Sequence, residues 1–116
     1  MKLLLIVSAI PAFQKLSQQN LPLQLVYSLK KLTDLVQTEV TFFEEQKLKI
    51  LEKYGEDKNG VLEVKKEHEQ EADKEYHDLL NTETTVEFNK FYISLEEKIE
   101  LSISDMTALE PFIGFK

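Results

Sequence analysis

The chain has 116 residues, with 21 acidic against 14 basic side chains, a formal net charge of −7 and no cysteine. Its length suits one domain, so we expect residues 1–116 to form a single domain. Without cysteine, disulfides, thiolate metal sites and cysteine nucleophiles are excluded. All the basic residues are lysines, and the lack of arginine argues against a dedicated nucleic-acid reader. No apolar stretch reaches about 20 residues, so no membrane-spanning helix is expected.

Negative charge is concentrated in the middle of the chain. Residues 55–83, called the acidic segment below, contain 10 acids and 4 lysines, a net charge of −6. Residues 1–54 have a net charge of +2, and residues 84–116 have −3. The acidic segment is either a solvated helix face or a surface that docks on a basic partner.

The N-terminal segment resembles the start of a secretory signal. Lys2 is followed by the apolar run Leu3–Val7 and then by small residues. Five apolar residues are few for such a signal, so we expect an uncleaved segment, which suits a short buried strand or the start of a helix equally well. Ser8 is a suitable N-cap, and helical spacing of apolar residues predicts a short helix over residues 9–19.

A long central helix is predicted over residues 22–54. Pro22 is tolerated in a first helical turn, and no other Pro or Gly occurs before Gly55. Gly55 is expected to end the helix with a positive φ. An apolar seam with two polar interruptions recurs in steps of three and four, as in a coiled coil: Val26, Leu29, Thr33, Val36, Val40, Phe43, Lys47, Ile50 and Tyr54.

The region after the long helix is predicted to fold back on it. Asn59-Gly60 favours a two-residue turn with positive φ at both positions, within either a small hairpin or a plain loop. A thin apolar line over residues 65–81 predicts an antiparallel partner helix. One thin helix cannot cover the apolar surface of residues 22–54, so a homodimer is expected.

The C-terminal third is predicted to contain a small β element. Residues 84–88 and 91–93 are β-branched and aromatic, which favours a strand or short hairpin. Ser104 is expected to cap a last helical turn, Asp105–Glu110, that ends before Pro111. The predicted fold class is mainly α (α+β). Because a helix of about 33 residues is about 50 Å long, the molecule should be elongated.

No catalytic, cofactor or metal site is expected from the remaining polar residues. His68 and His77 fall on opposite faces of one predicted helix, so they cannot share a metal there. Asp73 and His77 are expected to form a plain solvent-facing pair. The loop around Asp57 partly resembles a calcium loop but lacks its ligand spacing and its final glutamate. Few glycines are available for a phosphate-binding loop, so we expect a protein that is not an enzyme.

One set of acidic side chains is the candidate partner-binding site. Its members, called the acidic face below, share one side of the predicted helix at Glu67, Glu71, Glu75 and Asp78. We expect them to be exposed and to contact a basic partner. The alternative contact is the apolar C-terminal segment 112–115.

The order of landmarks resembles an uncharacterised family of small proteins from phages and prophages of Gram-positive bacteria. The likeness spans nearly the whole chain and is most distinctive in Tyr54-Gly55-Glu56 and in the ending Leu109-Glu110-Pro111-Phe112-Ile113. Further landmarks are Asn20-Leu21-Pro22, Glu44-Glu45-Gln46-Lys47, Asn59-Gly60, Leu79-Leu80-Asn81-Thr82-Glu83 and Val86-Glu87-Phe88.

This resemblance implies a phage-encoded viral protein located in the host bacterial cytoplasm or on the virion. It implies no catalytic residue. Two functions follow: an acidic inhibitor of a host defence complex, such as an anti-CRISPR protein, and a structural or assembly accessory of the phage particle. A sponge for a nucleotide signal is less favoured, because anionic ligands favour arginine and glycine-rich sites. The expected partner is a protein, without direct binding to nucleic acid or membrane.

Overall fold

The computed structural model of the protein describes residues 1–116, which form four α-helices and two small sheets. The predicted mainly α, α+β fold is confirmed. The helices are α1 (Leu3–Ser17), α2 (Leu23–Tyr54), α3 (Glu69–Leu80) and α4 (Ile103–Leu109). The strands are β1 (Gly55–Lys58), β2 (Val61–Val64), β3 (Phe91–Ile93) and β4 (Ile113–Phe115), and a short 3-10 turn (Lys66–His68) precedes α3.

Helix α1 begins six residues earlier than the sequence predicts. Ser8 lies inside the helix and does not cap it, and Pro11 also lies within the helix. The predicted start after Ser8 came from the preference of serine for N-caps. Burial of Leu3 and Ile6 explains the longer helix, because both side chains are fully removed from solvent on its core-facing side. The apolar N-terminal segment is therefore part of the core.

Helix α2 has the predicted length and position. It buries Leu29, Leu32, Val36 and Phe43 beneath two helices, since both α1 and α3 pack against it. The expectation that only one thin partner helix covers α2 is thus wrong. Most residues of the predicted apolar seam are buried or half-buried. The molecule measures 52 × 30 × 22 Å, which confirms the predicted elongated shape.

Gly55 ends α2 for a different reason from the predicted one. Its φ is −99° and its ψ is 170°, so it is extended and begins β1. A Cβ atom there would overlap the carbonyl oxygen of Leu51 and lie 3.1 Å from that of Glu63. The glycine therefore permits a close approach of backbones at the corner between helix and hairpin.

The turn at Asn59-Gly60 joins β1 and β2 into an antiparallel hairpin. Asn59 and Gly60 have φ values of 56° and 84°, as predicted, and the Gly60 amide donates to Asp57 Oδ1 at 2.8 Å. The register pairs Lys58 with Val61 and Gly55 with Val64. Between the two alternatives, the linkage is therefore a hairpin rather than a plain loop.

Helix α3 packs antiparallel on the C-terminal half of α2. Its start lies near the end of α2, and its end lies near the middle, where Leu79 and Phe43 share a small apolar cluster with Leu3. Tyr76 lies beside Phe43, with their ring centroids 6.0 Å apart. The predicted antiparallel helix partner is confirmed, although His68 belongs to the preceding 3-10 turn.

The C-terminal β element is a parallel pair rather than a hairpin. A strand forms at 91–93 as predicted, but it pairs with β4 in parallel. Residues 84–90 form no strand, because Thr84 is instead tied to Met1, whose carbonyl accepts from its backbone amide at 2.8 Å and its hydroxyl at 2.7 Å. Parallel strands need a crossover, and α4 lies within it.

The cap of α4 lies two residues before the predicted one. Ser102 Oγ accepts from the Asp105 amide, while Asp105 Oδ2 accepts from the Ser102 amide, which completes a capping box. Ser104 lies within the helix and caps nothing. The preference of serine for N-caps applied equally to both positions, and only the presence of an acid three residues later distinguishes Ser102.

The main core joins α1, the N-terminal half of α2 and the C-terminal elements. Phe112 and Ile113 are essentially fully buried in it, and Phe112 lies against Phe13 and Phe88, with ring centroids 5.2 and 5.5 Å away. Phe112 and Ile113 therefore do not offer the alternative partner contact, because both side chains are already packed inside the protein, whereas Phe115 is half-buried.

Candidate protein-interaction surface

The acidic face lies at the end of the molecule that contains the hairpin and α3. Glu67 is on the 3-10 turn, and the other three members share one side of α3. Glu67, Glu71 and Asp78 are exposed, as predicted, whereas Glu75 is half-buried. The four acidic side chains thus follow one side of the 3-10 turn and α3, but Glu75 faces inward.

Glu75 forms an ion pair with α2. Lys53 Nζ lies 2.8 Å from Glu75 Oε1, and the Glu75 side chain is 37% exposed. The hydrogen bond from Lys53 lowers the pKa of the Glu75 carboxyl, and the same bond raises the pKa of the Lys53 ammonium. Glu75 therefore helps to join α3 to α2, and its charge is already neutralised before any partner binds.

His68 lies between two members of the acidic face. Its Nε2 is 3.7 Å from Glu67 Oε1 and its Nδ1 is 3.5 Å from Glu71 Oε2. The ring centroid lies 5.6 Å from that of Tyr54. Although the Glu71 carboxylate is close, Nδ1 has no hydrogen-bond partner. The His68 ring thus fills the space between two carboxylates of the acidic face.

The histidines do not form a metal site with nearby acids. His77 lies exposed on α3, while His68 packs toward α2 from the preceding turn. No group of three or more His, Asp or Glu side chains is arranged to hold a metal ion. The predicted pair between Asp73 and His77 is not among the ion pairs and hydrogen bonds of the structure.

The hairpin adds carboxylates that pattern reasoning missed. Its register places Glu56 directly opposite Glu63, and Lys58 Nζ lies between them, 3.5 Å from Glu56 and 3.7 Å from Glu63. These residues were counted in the charge of the acidic segment, yet their pairing depends on the hairpin register. The exposed carboxylates of the hairpin and the acidic face are together called the acidic surface below.

A shallow groove of about 400 Å³ separates α3 from α2 beside the acidic face. Glu75 and Asp78 are on one wall, and Lys49 and Lys53 are on the other, with Phe42 at one end. Opposite charges thus face each other across the groove. An incoming basic side chain would meet Asp78 as the exposed carboxylate, because Glu75 is already paired.

Another ion pair joins α1 to α4. Lys15 Nζ lies 2.7 Å from Asp105 Oδ2, the oxygen that also accepts from the Ser102 amide. The bond from Lys15, followed by that from the Ser102 backbone, lowers the pKa of Asp105 from 3.8 to about 2. The carboxylate is thus stabilised in its ionised form by the folded state.

This ion pair predicts an acid-dependent loss of stability. Because the pKa of Asp105 is lower in the folded than in the unfolded chain, its contribution is complete above pH 3.8 and disappears as the pH falls to about 2. Asp105→Asn should therefore be less stable than the wild type at pH 6 and approach it near pH 2. Urea unfolding across this range, with the exposed Asp73→Asn as control, measures the effect. A difference that stays constant with pH would contradict the assignment.

None of the helices is long and apolar enough to cross a membrane. The chain matches no family model, and no curated protein and no solved structure is significantly similar to it.

Proposed function

We propose that this protein is a non-enzymatic phage or prophage protein that binds and inhibits a host defence complex through its acidic surface. The observation that carries the proposal is the charge of the acidic segment, a net of −6 within 29 residues, displayed on the hairpin and α3. The resemblance to small phage and prophage proteins supplies the biological context.

The charge distribution favours a basic protein partner. Exposed carboxylates on a rigid helix and hairpin attract a positively charged surface and repel nucleic acid. A groove that binds nucleic acid in a defence nuclease has this positive charge, so an acidic protein of this size can occupy it. In this proposal the protein works by occupying the groove, requires no cofactor, and acts in the host bacterial cytoplasm.

The residues proposed to make the contact are those of the acidic face. Glu67, Glu71 and Asp78 are exposed and available to a partner. Glu75 belongs to the same surface, but its pairing with Lys53 at 2.8 Å makes it a poor position for mutation. Reversing its charge would place two cations together and disturb the packing of α3 on α2, so a loss of binding would not identify a contact.

The function is tested by producing the protein in a Gram-positive host whose CRISPR nuclease targets an infecting phage. Inhibition would raise the efficiency of plaque formation relative to a host that lacks the protein. Unchanged plaque formation against each defence system of the host would contradict the inhibitor proposal. Purified nuclease then permits direct measurement of association.

The contact surface is tested by the triple variant Glu67→Lys, Glu71→Lys and Asp78→Lys. Association should slow by about tenfold or more at low salt and much less at high salt, because complementary charges act mainly on the association rate and are screened by ions. The fold should survive, since all three side chains are exposed.

A matched control separates local charge from net charge. It makes the same change of +6 at three exposed acids outside the acidic segment: Glu44, Glu52 and Glu96. The control should retain most of the association rate. Equal slowing by both variants would indicate nonspecific attraction, and unchanged rates in the first variant at both salt concentrations would remove the acidic face from the contact.

A structural or assembly accessory of the phage particle is the second candidate. The long α2 and the 52 Å length of the molecule favour it, because an extended helical protein can bridge neighbouring subunits. Quantitative mass spectrometry of purified virions tests this role. A fixed, stoichiometric amount in the particle supports the accessory function, whereas absence from the particle excludes a structural role in the finished virion.

A further inference from the structure

One side of α2 carries large apolar side chains that no other element covers. Six of the twelve exposed large apolar residues of the protein lie on this helix. Leu35 and Phe42 are seven residues apart, so they share one side of α2. Their exposed fractions are 47% and 40%, and shallow grooves border them along the helix. This pair is called the outer apolar stripe below.

We infer that a second copy of this chain covers the outer apolar stripe, with the two α2 helices antiparallel about a two-fold axis. The midpoint of Leu23–Tyr54 falls between Thr38 and Glu39, which is also midway between the two apolar residues. An axis there places Leu35 of each copy opposite Phe42 of the other. The same register aligns the ends of the helices, so they overlap over their full length of about 48 Å.

Charge complementarity supports this register. Lys31 lies four residues before Leu35, and Glu45 lies three residues after Phe42. The proposed axis brings Lys31 of one copy to within about one residue, or 1.5 Å along the helix, of Glu45 of the other. Neither side chain makes an ion pair within its own chain. The nearby Asp34 is already bound to Lys30, at 2.6 Å.

The size of α2 limits the expected affinity of the dimer. A strip about 48 Å long and about 10 Å wide has a footprint of roughly 480 Å² on each copy. This is smaller than the roughly 800 Å² per partner of a standard stable interface. We therefore expect a dimer with a dissociation constant in the micromolar range. The inference does not depend on the proposed function, since either candidate role could use a dimer.

The dimer and its face are tested by sedimentation equilibrium over a range from about 1 to 500 µM, around the micromolar dissociation constant expected for a small interface. Wild-type protein should change from monomer to dimer, and Leu35→Glu should remain monomeric. Leu48→Glu is the matched control, because Leu48 is 49% exposed on a different side of α2 and should leave association unchanged. A wild-type monomer at every concentration, or equal loss in both variants, would overturn the proposal.

The register is tested by a charge exchange. Lys31→Glu and Glu45→Lys should each weaken the dimer by about three- to tenfold, because each loses two symmetry-related ion pairs and gains repulsion. The double variant restores both pairs in a two-fold dimer and should recover most of the wild-type affinity. A double variant no better than the two single ones would exclude the antiparallel register.

Discussion

Phe112→Ala is expected to lower the free energy of unfolding by about 3–5 kcal/mol, the range for removing a buried aromatic side chain. The Phe112 side chain is fully buried, and its ring packs edge-on against Phe13 and stacks on Phe88. Three separate parts of the chain thus meet at one ring. Since small domains have only about 5–15 kcal/mol of stability in total, this loss is a large fraction of the free energy of unfolding.

Urea unfolding monitored by circular dichroism measures this loss. Phe42→Ala is the matched control, because it removes the same atoms from a side chain that is 40% exposed and should cost less than about 2 kcal/mol. If the apolar C-terminal segment were instead a free contact surface, Phe112→Ala would retain wild-type stability and lose only partner binding. The stability of the free protein therefore distinguishes a buried core residue at Phe112 from an exposed contact residue.

Gly55→Ala is expected to destabilise the protein by about 1–3 kcal/mol, as for other substitutions that force atoms into a packed site. The added methyl group would overlap the carbonyl oxygen of Leu51, an atom of the backbone of α2. Relief requires movement of either the last turn of α2 or strand β1. Movement of the last turn would fray α2, and movement of β1 would separate the hairpin from α2.

Gly55→Asn distinguishes the two explanations for this glycine. Asparagine tolerates a positive φ, so it would largely restore stability if the glycine were needed for its backbone conformation. Because φ is −99° and the obstacle is the β-carbon itself, we expect Gly55→Asn to be as destabilising as Gly55→Ala. At Gly60, where φ is +84° and no atom crowds an added β-carbon, Gly60→Asn should be less destabilising than Gly60→Ala, because asparagine tolerates a positive φ better than alanine. A stable Gly55→Asn would contradict the steric explanation.

The periodic spacing of apolar residues predicted the long helix α2 well. Over 32 residues the spacing of apolar side chains in α2 repeats often enough to outweigh local exceptions such as Thr33 and Lys47. The turn at Asn59-Gly60 could be predicted equally well, because few residue pairs accept two positive φ values in succession. These features depend on neighbouring residues, so one sequence contains the information that they need.

The candidate site could be predicted only in part. The clustering of acids over residues 55–83 was visible as charge, and the exposure of Glu67, Glu71 and Asp78 agreed with it. The capture of Glu75 by Lys53 was not predicted, because the two are 22 residues apart. Their contact exists only where α3 folds back on α2, and the depth of that packing decides which acid is neutralised.

The sequence alone determined the helical class, the long α2, the positive-φ turn at Asn59-Gly60 and the position of the negative charge, because these follow from interactions between near neighbours. The tertiary structure decided the rest. It extended α1 back to Leu3, paired β3 with β4 in parallel and buried Phe112 in the main core. Each of these outcomes depends on burial shared between distant segments, and apolar burial is non-directional, so a local pattern cannot specify which segments will share it.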